Sequence, residues 1–217
     1  MPERITIPIS IFDYSSDYVR PIISIWMDRA VLVQSMFDAL LKWNIDINEV
    51  EPIATGKPKD QGIKIKLQEK RVTFFFGPAG CKFTREGVDW ATADETSEIL
   101  QTCLATLIAV SKAELRNQKT ALILHLQPTT KTYLELLEPF LSPALQSMRP
   151  GKIKTGASIV KWEDGKITLD GSGTIANGVF VKYEQDFDTS ASFEMIAKEL
   201  RSAEDTLFRL LDVEADN

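Results

Sequence analysis

His125 is the single histidine of the chain, and it lies in the alternating run Thr120–Gln127, out of phase with Leu122, Leu124 and Leu126. An imidazole in that place could move a proton near neutral pH. No Ser, Cys or carboxylate is tied to it by a recognisable spacing, so a structural histidine is the plainer reading. Cys81 follows the turn signal Gly77-Pro78-Ala79-Gly80 and precedes Lys82, a cation able to lower a thiol pKa. A cysteine in a short strand is more simply a small buried residue. Asp164, Asp170, Asp186 and Asp188 could meet at a cation, but they lack the regular spacing of a calcium loop. Turn chemistry accounts for Asp164-Gly165 and Asp170-Gly171.

Neither Gly171-Ser172-Gly173 nor Thr55-Gly56-Lys57-Pro58 opens a helix, so neither forms a phosphate-cradling helix terminus. Two cysteines, Cys81 and Cys103, cannot build a disulfide framework or a zinc ligand set. The sequence therefore predicts no metal, no cofactor and no catalytic residue, and a non-enzymatic role is expected.

Composition narrows the class further. With 217 residues, 44% hydrophobic and 26% charged, the chain is long enough for a sizeable core. A formal net charge of −6 excludes a uniformly basic nucleic-acid binder. The longest apolar helical stretch, Cys103 to Val110, falls far short of the roughly 20 residues a membrane span needs. A cytoplasmic protein with no membrane partner and two reduced thiols is expected.

The elements that would carry these residues follow from periodicity. Ile5, Ile7, Ile9 and Ile11 alternate with polar residues and predict a strand, placed at an edge or beside a bulge by Pro8. Residues 14–26 read as irregular. Val33, Met36, Phe37, Leu40 and Leu41 predict a helix over 28–43. Asn44–Pro52 is weakly strand-like, and 54–62 is a polar loop. Strands are predicted at 63–67, 72–76 and 81–85, with a tight turn at Glu69-Lys70. Thr92 and Glu95 fit a capping box for a helix running to about Leu115.

In the second half, a strand at 120–127 precedes a helix over Thr130 to about Leu141, ended by Pro143. Strands follow at 158–162, 166–169 and 178–186, and Ile153 could open one more. A last helix, Ser190 to Asp212, has Phe193, Ile196, Leu200, Ala203, Leu207 and Leu210 on its apolar stripe.

Both halves thus read strand, helix, three or four strands, long helix. The expected fold class is α+β, with two similar units, 4–116 and 119–213. They would form a curved antiparallel sheet with helices mainly on one face and pack as one compact body. The strands at 63–67 and 165–169 occupy equivalent places in this reading. The repeated order resembles the TATA-binding-protein fold over nearly the whole chain, as architecture and without shared signature residues. A weaker resemblance is to export-chaperone (SecB-type) domains. Some bacterial proteins of similar layout end in an acidic Asp-Phe-Asp stretch and a long helix, here Asp186-Phe187-Asp188 and Phe208. These resemblances imply a layout and no catalytic residue.

Charge is uneven. Residues 57–86 and 149–186 together carry 14 basic and 8 acidic residues, a net +6, which leaves −12 for the remainder. If the apolar strand phase faces the helices, Lys64, Lys66, Lys161, Lys166 and Lys182 share the open sheet face, with Phe75 and Phe180 among them. Solvated strands also use Lys for solubility and edge protection. Aromatics among lysines suit a protein hot spot or base stacking. The expected binding residues are Lys64, Lys66, Phe75, Lys166, Phe180 and Lys182. The expected function is a non-catalytic interaction protein of bacterial or phage type, such as an immunity, antitoxin or chaperone-like factor. A protein partner is expected ahead of nucleic acid, and a homo-oligomer is compatible with the sequence. The rival readings are a nucleic-acid binder using the basic face and an enzyme with a site around His125 or the acidic loops.

Overall fold

Alternation of apolar and polar residues builds a large open sheet, mainly antiparallel, and amphipathic helices complete an α+β fold. The computed structural model describes residues 2–27, 29–54, 56–58, 61–140 and 157–215. In chain order the elements are β1 (Glu3–Asp17), α1 (Ser24–Met27), α2 (Arg29–Leu40), β2 (Val50–Ile53), β3 (Gly62–Leu67), β4 (Val72–Phe76), β5 (Gly80–Glu86) and α3 (Ala93–Ser111). They continue with β6 (Gln118–Pro128), α4 (Tyr133–Leu137), β7 (Ser158–Trp162), β8 (Gly165–Gly171), β9 (Val179–Phe187), α5 (Phe193–Leu211) and β10 (Val213–Ala215). Among the described residues no helix is long and apolar enough to cross a membrane.

The chain divides into two compact units. One contains Phe12–Thr120 and Asp186–Ala197; the other contains Met1–Ile11, Ala121–Gln185 and Lys198–Asn217. In the first unit the strand order is β2-β3-β4-β5-β1, and β2 to β5 form an antiparallel meander. Its core joins Ile63, Ile65, Phe74, Phe76 and Phe83 of the strands to Ile99, Leu100 and Leu107 of α3, all at 1% exposure or less. In the second unit the order is β1-β6-β9-β8-β7, with β10 parallel to the start of β1. Leu124, Leu126, Leu169, Val179 and Val181 are buried there, with Leu200, Leu207 and Leu211 of α5.

Several elements differ from the sequence reading for identifiable reasons. Residues 14–17 are strand and not irregular, since β1 runs to Asp17. Phe12, Tyr14, Ser16 and Tyr18 keep alternating into the core, and polar neighbours mask the pattern. The Tyr14 hydroxyl donates to Gln118 Oε1 at 3.2 Å, which satisfies the phenol inside. β1 is an inner strand and not an edge: it pairs with β5 in one unit and with β6 and β10 in the other. Its buried phase changes from Glu3 and Ile5 to Phe12 and Tyr14, with Ile9, Ser10 and Ile11 all half-buried between.

α2 buries Met36 and Leu40 of the expected stripe together with Leu32, leaves Val33 and Phe37 half-buried, and Leu41 is exposed in a following 3₁₀ turn. Asn44–Pro52 contributes only the short β2, after a 3₁₀ turn capped by Asp46 and Glu49. The expected Thr92–Glu95 capping box does not form. Asp89 and Thr92 cap a 3₁₀ turn instead, and Glu95 is drawn to Arg85 and Lys70. α3 ends at Ser111, with Lys112 in a left-handed conformation. The helix expected over Thr130–Leu141 is a single turn, α4, followed by a 3₁₀ turn at Glu138–Phe140. Thr55, Lys59 and Asp60 of the polar loop, the stop at Pro143 and the strand start at Ile153 lie outside the described residues.

Candidate interaction site

In the unit holding β3, β4 and β5, strand register aligns Lys64 with Phe75 and Phe75 with Lys82. The next row aligns Lys66 with Thr73 and Thr73 with Thr84. Residues of the other phase are buried, and Arg85 among them reaches Glu95 and Thr96 of α3. The Lys64–Phe75–Lys82 row therefore lies on the side turned away from α3. Phe75 is half-exposed. Its ring occupies space that two glycines leave free: a Cβ at Gly62 would come within 2.9 Å of the ring, and one at Gly77 within 3.1 Å. The aromatic face is thus held against the strands by close backbone approach.

Carboxylates accompany most of these cations. Lys66 Nζ is 3.1 Å from Glu51, and Lys82 Nζ is 3.3 Å from Asp13, whose other oxygen accepts from the Thr84 hydroxyl at 2.6 Å. The Lys66 ammonium holds the Glu51 carboxyl below its usual range. Sequence reasoning missed Lys82 as a member of the row, although the alternation of β5 placed it there.

In the unit holding β8 and β9, register sets Asp170 opposite Phe180, Thr168 opposite Lys182 and Lys166 opposite Glu184. Phe180, Lys182 and Glu184 share the half-buried phase of β9. Glu184 binds both lysines, Lys166 at 2.9 Å and Lys182 at 3.0 Å. Those two hydrogen-bonded ammonium groups outweigh its partial burial and hold the Glu184 carboxyl low. Here one carboxylate is shared by two lysines, so the positive charge of the face is reduced and not cancelled.

His125 lies against Phe180, edge to face, with ring centres 5.3 Å apart. Its Nδ1 is 2.7 Å from Ser172 Oγ. That oxygen already accepts from the amides of Ile175 at 2.9 Å and Thr174 at 3.2 Å, so its own hydrogen is the one left for Nδ1. Burial pushes the imidazole pKa down. The pair fastens the 172–178 loop to β6.

Cys81 is buried, and burial pushes its thiol up to about 12. Lys82 does not activate it, because strand alternation puts the ammonium on the opposite face, beside Asp13. Asp170 accepts from the Gly171 amide, and Asp188 from the Ser190 amide. Among the described residues no group of three or more His, Cys, Asp or Glu is placed to hold a metal ion. A cavity of ≈ 390 Å³, bordered by Arg20, Ile22, Lys112 and Glu114, involves none of the residues singled out in the sequence.

No protein-family model and no curated protein matches the chain. Among solved structures the chain is similar to a rolling circle replication initiator protein from Geobacillus stearothermophilus. The identity is 12%, the match covers 94% of this chain and 84% of that one, and the TM-score is 0.41. A likeness at that level carries no assignment of function.

Proposed function

We propose that the chain is a non-catalytic interaction protein that meets a protein partner through the α3-distal face of β3, β4 and β5. The observation that carries this reading is the Lys64–Phe75–Lys82 row, in register, with the Phe75 ring fixed over Gly62 and Gly77. A rigid, half-exposed aromatic flanked by long cationic stems has the make-up of an interface anchor. The ion pairs of Lys66 and Lys82 favour a protein over a phosphate backbone, since phosphates would have to displace Glu51 and Asp13. In the other unit the Lys166, Phe180 and Lys182 face is a secondary contact surface on this reading, with Glu184 tempering its charge. The free, buried thiols Cys81 and Cys103 fit a reducing compartment.

The nucleic-acid reading keeps one observation in its favour, an aromatic between two lysines, which is how single strands are stacked and neutralised. Capture from a host extract by the full chain, with and without nuclease, separates the two. A partner retained by the wild type, lost with Phe75→Ala and indifferent to added salt supports the protein reading; the loss at a hot spot is about 2 kcal/mol or more. Nuclease-sensitive retention that collapses with salt replaces it with nucleic acid. Partners held equally by Phe75→Ala remove the face from binding altogether.

We also read 4–116 and 119–213 as a repeated unit, the layout implied by the TATA-binding-protein resemblance. Counting outward from the first strand of each half gives β5, β4, β3, β2 from β1 and β9, β8, β7 from β6. On this count β8 takes the place of β4, one strand away from the equivalence of 63–67 with 165–169 expected from sequence.

A further inference from the structure

The terminal strands β2 and β7 differ in how they are guarded. β2 carries Glu51 and Pro52, the charged and donor-less residues that discourage further pairing. β7 is guarded more lightly: it has no proline, and Lys161 is its single charge. Among the described residues it pairs with β8 alone, and Ile159 and Val160 are 60% and 59% exposed although they point to opposite faces. Its last residue, Trp162, is held ready: the ring packs over Gly165, lies 5.6 Å from the Tyr183 ring and donates from Nε1 to Gln185 at 3.2 Å. A largely apolar edge with one lysine and a fixed tryptophan is suited to receive another strand.

We propose that the received strand is β7 of a second copy, paired antiparallel about a twofold axis at Val160. The pattern of the strand selects this occupant and register. Centring on Val160 uses all five residues and sets valine against valine, Ser158 against Trp162 and Ile159 against Lys161. A small residue then faces the large ring, and the lysine stem covers the isoleucine. Centring on Lys161 would oppose two ammonium groups, and Lys161 already faces Lys166 across β8. A twofold contact of this kind closes at two copies, because each copy consumes the other's edge. This inference is independent of the β3–β4–β5 reading above.

Disulfide trapping in the full chain tests both occupant and register. Val160→Cys brings two thiols directly opposite, about 5 Å apart at Cβ, and should give a covalent dimer under mild oxidation. Ser158→Cys separates its thiols by about 13 Å along the strands and should not. Cys81 and Cys103 are buried and do not compete. Sedimentation of the wild type should show a reversible dimer. Val160→Lys should weaken it at least tenfold while leaving the circular-dichroism melt unchanged, which separates lost pairing from lost folding. A wild type that stays monomeric at every concentration overturns the proposal. So does Ser158→Cys crosslinking as readily as Val160→Cys. A monomer whose β7 amides resist hydrogen exchange overturns it too, by showing the edge covered from within the chain.

Discussion

Glu3 is almost fully buried, and its carboxylate accepts from the Thr130 hydroxyl and amide, both at 2.5 Å, and from the Lys131 amide at 3.1 Å. The Thr130 hydroxyl leads these donors in holding its pKa near 2, against an ordinary 4.5. A depressed carboxyl stabilises the fold fully above its unfolded value and loses that contribution as pH falls through the folded one. Urea midpoints should therefore drop between pH 4.5 and about 2, and Glu3→Gln should flatten that limb. His125 obeys the same sign. Burial depresses its pKa, so its contribution is complete above 6.5 and is lost on acidification. As the lone histidine it gives one imidazole resonance, which should titrate below 6.5; Phe180→Ala, by admitting water, should move it back upward. Arg85, with 6% of its side chain exposed, donates to Glu95 at 2.9 Å and to Thr96 at 2.8 Å. Glu95→Gln should cost about 1.5–3 kcal/mol by chemical denaturation, below the 3–5 of a wholly buried pair because Glu95 is partly solvated. None of these partnerships was legible in the sequence. Glu3 meets Thr130 across 127 positions, and no local pattern encodes so distant a partner.

Long amphipathic elements were far more legible, with errors of phase. For α5 the expected stripe included Leu200 and Leu210; the structure buries Leu200 and Leu211 and leaves Leu210 54% exposed. At 3.6 residues per turn Leu211 lies about 20° from Leu200 around the axis and Leu210 about 80°, so an alternating 3–4 count drifts off the buried face. Leu200→Ala should cost about 2–5 kcal/mol and Leu210→Ala should leave the midpoint nearly unchanged, a contrast that checks the helix orientation. The strands explain the mixed outcome for the candidate site. Period-two alternation placed Lys64, Lys66 and Phe75 opposite the core phase, as their half-burial beside buried neighbours shows. The same alternation could not reveal Glu51 and Asp13, which come from other strands, whereas Glu184 shares the β9 phase of Lys182 and could have been read from it; these carboxylates set how much of the positive charge is free.

At the scale of the molecule, each compact unit draws on both halves of the sequence. The fragment 119–217 lacks Glu3, the donor side of Glu3 N–H to Asp212 O, and the strand that β10 pairs with. Expressed alone it should give a poorly dispersed amide spectrum and no cooperative melt, although it carries a complete strand–helix–strands–helix order. Element order was readable because periodicity is local, whereas the exchange of segments depends on pairings between the two ends. That exchange also sets a timetable. Glu3, Arg4 and Ile5 leave the ribosome more than 200 residues ahead of their partners Val213, Glu214 and Ala215. The start of β1 must wait for β10 to be synthesised before that pairing can form. Contacts of such long sequence separation slow folding, so a nascent chain passes through a stage in which an isoleucine-rich strand is exposed and needs protection from its neighbours.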